Sequence, residues 1–147
     1  MNSPEPYEFR IETIADWDVL AGKLLEYAED RRKFFLYGEM GVGKTTLTQA
    51  VCRKLGAGEG AVSPSFALVN EYHYLDVKGQ SHLFYHLDLF RLKHEQEALD
   101  IGIEDYLYDE DYCFVEWPDL IEALAPEDVI RIRIRLESDS VRKVLFL

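Results

Sequence analysis

The chain has 147 residues, which suffices for one domain around one hydrophobic core, and its 48% hydrophobic and 30% charged residues are typical of a globular protein. A formal net charge of −12 disfavours strong direct binding to nucleic acid, because phosphate contacts need clustered lysine and arginine. Cys52 and Cys113 stand in apolar surroundings, and no apolar run approaches the ~18 residues of a membrane span. We therefore expect free, buried thiols in a cytoplasmic protein without membrane attachment.

Apolar spacing predicts an alternation of strands and helices after a loose start at residues 1–6. In chain order, the predicted elements are a strand at 7–11, a helix at 14–29, a strand at 33–37, a helix at 44–55, strands at 66–75 and 82–90, a helix at 93–101, a strand at 112–117, a helix at 119–125 and strands at 128–136 and 141–147. The turn at 76–79 predicts an antiparallel hairpin, and the acidic stretch 105–111 predicts a solvated loop. This order predicts an α/β domain with a mixed sheet and flanking helices.

The turn between the strand at 33–37 and the helix at 44–55 matches the phosphate-binding pattern G-x-x-x-x-G-K-[ST]. Its residues are Gly38, Glu39, Met40, Gly41, Val42, Gly43, Lys44 and Thr45, with Thr46 beside them. Glycines let successive backbone N–H groups point at an anion, and the helix N-terminus adds its positive end. Lys44 can reach the β- and γ-phosphates, and the Thr45 hydroxyl can ligate Mg²⁺. The pattern predicts a single P-loop NTPase-like domain that binds ATP with Mg²⁺.

Two acids follow apolar strands and are candidates for the other half of this site. Asp88 lies where ligands approach an α/β sheet, and a metal would offset the cost of its burial; the alternative is a solvated strand end or a helix cap. Glu116 can position the attacking water or hold a metal-bound water; the alternative is a structural acid paired with a cation. We predict that His86 is a packed or hydrogen-bonded histidine and that Trp117 serves packing in the core or at its rim.

Ser63 and Ser65 flank Pro64 one loop after the predicted P-loop helix. In switch-type P-loop proteins a segment at this place senses the γ-phosphate, and both hydroxyls can bond phosphate oxygens or the metal. The alternative is an ordinary turn.

Four motifs occur in a fixed order along the chain: Gly-Glu-Met-Gly-Val-Gly-Lys-Thr-Thr at 38–46, Ser-Pro-Ser-Phe at 63–66, Tyr-His-Leu-Asp-Leu-Phe-Arg at 85–91 and Glu-Trp-Pro-Asp at 116–119. Together they resemble the TsaE (YjeE) family over about residues 14–136. The resemblance implies a weak ATPase required for threonylcarbamoyl-adenosine (t⁶A) modification of tRNA at the adenosine next to the anticodon. It also implies TsaD and TsaB as partners, which carry the transferase chemistry and stimulate the ATPase.

The resemblance also implies a role for each matching residue. Lys44 and Thr45 would hold phosphate and Mg²⁺, Thr46 would be an adjoining contact, Asp88 a second metal residue and Glu116 the acid near the γ-phosphate and metal. Ser63 and Ser65 would lie in the nucleotide-sensing loop. The chain departs from the family pattern at Glu39, Ser65 and Phe90, where the family often has Asp, Thr and Tyr.

Three other functions stay open on the sequence. A small-molecule kinase would use the same P-loop, but no arginine-rich lid is apparent. A GTP switch is disfavoured, because the D-x-x-G match at 76–79 falls in a hairpin turn and no guanine-reading Asn-Lys-x-Asp motif occurs. A non-catalytic module regulated by its nucleotide is disfavoured by the intact lysine, threonine and acids.

Overall fold

The computed structural model describes residues 7–57 and 68–147. Seven strands form one mixed sheet in the order β1-β7-β6-β2-β5-β4-β3. The strands are β1 (Glu8–Ile11), β2 (Lys33–Tyr37), β3 (Val69–Leu75), β4 (Ser81–Asp88), β5 (Tyr112–Glu116), β6 (Ile130–Ser138) and β7 (Val141–Phe146). The helices are α1 (Ile14–Ala28), α2 (Lys44–Leu55), α3 (Glu95–Asp100), α4 (Ile103–Tyr108) and a 3-10 helix (Pro118–Leu124).

The centre of the sheet is parallel. Strand β2 runs parallel to β5 and β6, and β5 runs parallel to β4. The carboxyl ends of these strands therefore meet at one edge of the sheet, where ligands of open α/β sheets bind. The outer pairs β3–β4, β6–β7 and β1–β7 are antiparallel. The predicted mixed sheet with an antiparallel hairpin is confirmed.

Helices cover both faces of the sheet, which explains why the centre of β2, Phe34–Leu36, is apolar. Phe34 and Leu36 face the core beneath α1 and α2, whereas Phe35 faces the opposite core beneath α3, α4 and the 3-10 helix. All three side chains are fully buried. Strand β2 is thereby held on both sides, and the loop that follows it starts from a rigid position.

Asp16 caps the start of α1. The Asp16 carboxylate accepts hydrogen bonds from the backbone N–H groups of Glu12 and Thr13, each at 2.9 Å. These two bonds hold the pKa of Asp16 below its usual value. They satisfy donors at the entry to the helix that carries Trp17 to the P-loop.

One predicted element is wrong in type. Part of the expected loop at 105–111 is helix α4, because Gly102 turns the chain at φ +80 and Ile103 and Leu107, one helical turn apart, are both buried. The short helix predicted at 119–125 is present as a 3-10 helix that begins at Pro118.

Several predictions fall on residues 1–6 or 58–67, outside the described residues. They include the loose start and the first part of the strand predicted at 66–75. Over residues 7–57 and 68–147, no helix is both long and apolar enough to cross a membrane.

Candidate nucleotide site

The loop between β2 and α2 leaves no room for side chains at two of its glycines. A Cβ on Gly38 would lie 2.6 Å from the carbonyl oxygen of Ile134, and one on Gly43 would lie 2.4 Å from the ring of Trp17. Their φ angles of +153° and +126° are also ones that L residues rarely adopt. Glycine is therefore required here by both conformation and space.

Lys44 is the first residue of α2 and is only 4% exposed. Its Nζ donates to the Gly38 carbonyl at 2.5 Å and stands 3.6 Å from the ring centroid of Trp117. Burial lowers the pKa of Lys44, while the charges of Glu116, Asp88 and Asp119 oppose that shift. The ammonium group is thus held between the Gly38 carbonyl and the Trp117 ring.

Glu116, the last residue of β5, is 4% exposed and is held by two side chains. Its Oε2 accepts from Thr45 Oγ1 at 2.6 Å and contacts His86 Nε2 at 2.5 Å. Burial raises the pKa of Glu116, but the hydrogen bonds from His86 and Thr45 and the nearby charge of Lys44 outweigh it, so the pKa lies below its usual value. A carboxylate only accepts hydrogen bonds, so Nε2–H of His86 is the donor in this contact when Glu116 is ionised.

Asp88 ends β4 directly beside Glu116, its register partner on β5. Its Oδ1 accepts from the backbone N–H of Phe90 at 3.0 Å. Asp88 and Glu116 line one cleft of about 340 Å³ together with Lys44, Thr45, Thr46 and the loop residues Met40, Gly41 and Gly43. The predicted convergence of the P-loop with the two acids is therefore present in the fold.

An aromatic rim closes one side of this cleft. The rings of Phe90 and Trp117 stand 5.0 Å apart, and Trp117 has a left-handed backbone at φ +57. Such a conformation costs roughly 1–3 kcal/mol and tends to occur at functional sites. The sequence predicts packing in the core or at its rim for Trp117, which lies at the rim, and predicts no role for Phe90. The adjacency of Trp117 to Glu116 was the one signal that pointed to the site.

A second cleft of about 250 Å³ lies on the other side of the loop. It shares Gly41, Gly43 and Thr46 with the first cleft and adds apolar walls from Trp17 and Ile14. Arg142 borders it and donates from Nε to the Val42 carbonyl at 3.2 Å, which ties the loop to β7. Sequence reasoning did not identify this cleft, because its walls come from α1 and β7, far apart in the chain.

Some of the remaining predicted site residues lie within the described residues and others lie outside them. Glu39 and Met40 are exposed on the loop, and Val42 is buried beneath it. Ser63 and Ser65 lie outside the described residues, so the predicted sensing loop stays a prediction. His86 is hydrogen-bonded and 5% exposed, as predicted for a histidine held within the fold.

The fold and the loop together define the class of protein. A glycine loop joins a buried parallel strand to a helix that opens with Lys44 and Thr45, and an acid stands at the end of each of two neighbouring strands. This is the architecture of the P-loop class of α/β proteins.

Comparison with known proteins narrows the class to a family. The model of the family described as threonylcarbamoyl adenosine biosynthesis protein TsaE matches residues 11–144, and the chain belongs to that family. A Treponema pallidum protein named tRNA threonylcarbamoyladenosine biosynthesis protein TsaE is 31% identical over 130 residues, which cover 88% of this chain and 90% of the relative. A Bacillus subtilis protein of the same name is 35% identical over 111 residues, 76% of this chain.

The match to the Bacillus relative spans 66% of that protein, and the match to a Haemophilus influenzae relative spans 64%, so this chain covers just under two thirds of both. Among solved structures, the crystal structure of Bacillus subtilis YdiB superposes with a TM-score of 0.72 at 26% identity, covering 95% of this chain and 82% of that one.

Proposed function

We propose that this chain binds ATP with Mg²⁺ in the 340 Å³ cleft and hydrolyses it slowly in support of t⁶A modification of tRNA. The observation that carries the proposal is the convergence of Lys44, Thr45, Asp88 and Glu116 on one cleft beside the glycine loop. These residues come from three separate elements, and packing alone does not require two carboxylates and a buried lysine at one place. The family to which the chain belongs supports the tRNA part of the proposal.

The loop supplies the phosphate contacts in this proposal. Backbone N–H groups of residues 41–45 and the N-terminal end of α2 attract the β- and γ-phosphates. Lys44 exchanges its bond to the Gly38 carbonyl for phosphate oxygens and gains a partner of full charge. Its position beneath Trp117 keeps it desolvated, which strengthens that attraction.

The side chains fit Mg²⁺ better than a transition metal, because the donors are hard oxygens: the Thr45 hydroxyl and the carboxylates of Asp88 and Glu116. Over the described residues no group of three or more His, Cys, Asp and Glu side chains forms a metal cluster. The phosphates of the nucleotide would therefore complete the coordination, as is usual for Mg²⁺. When bound, the ion neutralises charge that develops on the phosphate oxygens.

Glu116 acts on the attacking water in this proposal. Its Oε2 is engaged by Thr45 and His86, while over the described residues no hydrogen bond occupies Oε1. An ionised carboxylate with one free oxygen can orient a water and accept its proton. Thr45 can keep donating its proton to Oε2 while its oxygen lone pairs face the metal.

The base lies in the second cleft in this proposal. That cleft meets the first one across Gly41, Gly43 and Thr46, so a nucleotide wrapped around the loop passes from one to the other. The Trp17 ring and Ile14 provide the apolar surfaces that a planar base needs. The shape and the apolar walls of the second cleft support this placement of the base. Competition between ATP and GTP for binding tests the preference for adenine.

In this proposal, partners supply the basic surface for tRNA that this acidic chain lacks. With a net charge of −12 it is not expected to hold tRNA itself, so a basic partner must do so. By resemblance the partners are TsaD and TsaB. The exposed side chains of Met40 and Phe90 at the mouth of the cleft, 69% and 51% exposed, suit a surface that a partner covers during the ATPase cycle. A role beside tRNA fits a cytoplasmic location.

The decisive experiment measures ATP hydrolysis by the chain alone and with the TsaB–TsaD pair, with and without tRNA. We expect slow basal turnover and strong stimulation by the pair. Lys44→Ala should abolish turnover, whereas Lys54→Ala, an exposed lysine at the other end of the same helix, should leave it unchanged. Wild-type affinity and hydrolysis in Lys44→Ala would contradict the site assignment.

Other outcomes separate the competing functions. Nucleotide bound without hydrolysis under every partner would indicate a regulated binding module. Phosphate transferred to a small acceptor rather than to water would indicate a kinase, and preference for GTP over ATP would indicate a switch.

A further inference from the structure

His86 is a buried side chain that contacts a candidate catalytic group without lining the cleft. It lies on β4, and its side chain shares a sheet face with Asp88 two residues on. The described residues that line the cleft include Glu116 and Asp88 but not His86. The ring is 5% exposed, and its Nε2 reaches Glu116 Oε2 at 2.5 Å.

The contact fixes which oxygen of Glu116 is available. Oε2 is shared by His86 and Thr45, so both donors converge on a single oxygen. A carboxylate held by one donor alone can rotate about its terminal torsion, which is broad. Two donors from different elements, β4 and α2, restrict that rotation.

We propose that His86 is a positioning residue for hydrolysis: its Nε2–H orients the Glu116 carboxylate so that Oε1 faces the reacting water and metal. This inference rests on the proposed function. The ring itself needs no contact with nucleotide, because its effect passes through Glu116. Histidines and acids that support a ligating group from behind typically change activity or metal affinity ~10–100-fold when removed.

The same strand offers a matched control. His82 lies four residues before His86 on β4 and also pairs with a carboxylate, through Nε2 to Asp76 Oδ2 at 2.7 Å. That pair belongs to the hairpin turn, at the end of β4 away from the cleft, and its side chains are 27% and 28% exposed. Comparing variants of the two histidines thus separates the general effect of losing a histidine–carboxylate bond from the specific effect of losing the His86–Glu116 bond.

The experiment compares His86→Leu, His86→Gln and the control His82→Leu. Glutamine places an amide N–H near the position of the histidine Nε2, whereas leucine fills space without a donor. We expect His86→Leu to lower kcat ~10–100-fold with little change in KM for ATP, and His86→Gln to recover most of the loss. His82→Leu should retain wild-type kcat.

A second measurement does not depend on turnover. Tryptophan fluorescence reports binding of a non-hydrolysable ATP analogue while Mn²⁺ is titrated, and His86→Leu should raise the half-saturating Mn²⁺ concentration ~10–100-fold. Wild-type kcat and Mn²⁺ dependence in His86→Leu would overturn the inference, as would equal losses in the leucine and glutamine variants.

The two proposals fail in different ways. Wild-type protein that binds analogue and Mn²⁺ without hydrolysis would refute the ATPase proposal, and the Mn²⁺ titration would still decide the role of His86. Wild-type protein that binds neither would refute both.

Discussion

Replacing Gly43 by alanine tests whether the P-loop is held by the ring of Trp17. The new Cβ would lie 2.4 Å from Cη2 and 2.6 Å from Cζ2 of that ring. Ordinary contact begins near 3.4 Å, so the ring or the loop must move by about 1 Å. Gly41 provides the control, because its φ of +77 is also positive, but a Cβ added there would meet no atom within 4 Å.

The two substitutions should differ in cost for a stated reason. Gly41→Ala imposes a left-handed backbone on alanine and nothing more, which costs about 1–2 kcal/mol of unfolding free energy. Gly43→Ala adds overpacking, typically about 1–3 kcal/mol, for a total of roughly 2–5 kcal/mol. A displacement of ~1 Å in the loop should also weaken ATP binding or turnover by up to ~100-fold, since catalysis depends on placement at that scale.

Urea unfolding measures the first effect and analogue binding the second. Trp17→Phe removes the outer ring atoms that meet the methyl group, so the double variant Gly43→Ala/Trp17→Phe should be less destabilised than the sum of the two single variants. Equal losses for Gly41→Ala and Gly43→Ala, or strict additivity in the double variant, would refute the steric argument.

Three further predictions concern other parts of the fold. Lys33→Met should cost roughly 3 kcal/mol in urea unfolding, because Nζ of this 6%-exposed lysine donates to Tyr106 O, Asp109 Oδ1 and Asp111 O at 2.7, 2.6 and 2.6 Å. The more exposed pair Lys143–Glu8 should lose under ~1 kcal/mol in Lys143→Met, and equal losses would contradict the burial argument. Burial raises the pKa of both Cys52 and Cys113 to about 12, so neither thiol should react with Ellman's reagent at pH 8 until the chain unfolds; rapid labelling of the native protein would argue against their burial. The lowered pKa of Asp16 means that its ionised form favours the folded state, so the stability difference between wild type and Asp16→Ala should persist above the unfolded pKa of ~3.9 and shrink as pH falls through the folded value. A pH-independent difference down to pH 2 would contradict that assignment.

Local chemistry made the P-loop predictable. The pattern from Gly38 to Thr45 lies within eight consecutive residues, and the residue types that it specifies, two glycines, a lysine and a threonine, are required by the backbone or by phosphate. The proximity of Asp88 and Glu116 was predictable for a related reason. Parallel strands end at the same edge of a sheet, so acids at their ends lie close together regardless of the chain that connects them.

Elements with a weak local signal were predicted less well. Helix α4 was not predicted because its acidic residues Glu104 and Asp105 suit a solvated loop as well as the first turn of a helix. The buried pair Ile103 and Leu107 decides for the helix, and that burial depends on the core beneath the sheet.

A glycine loop, a lysine and a threonine between a buried strand and a helix were predictable from the sequence alone, because those residues are neighbours in the chain. Three contacts at the site were not predictable in this way: His86 with one oxygen of Glu116, Trp117 with Lys44, and Trp17 with the second cleft. Each of these contacts joins residues far apart in sequence. Their geometry depends on strand register, a left-handed backbone and helix packing, none of which a one-dimensional pattern carries.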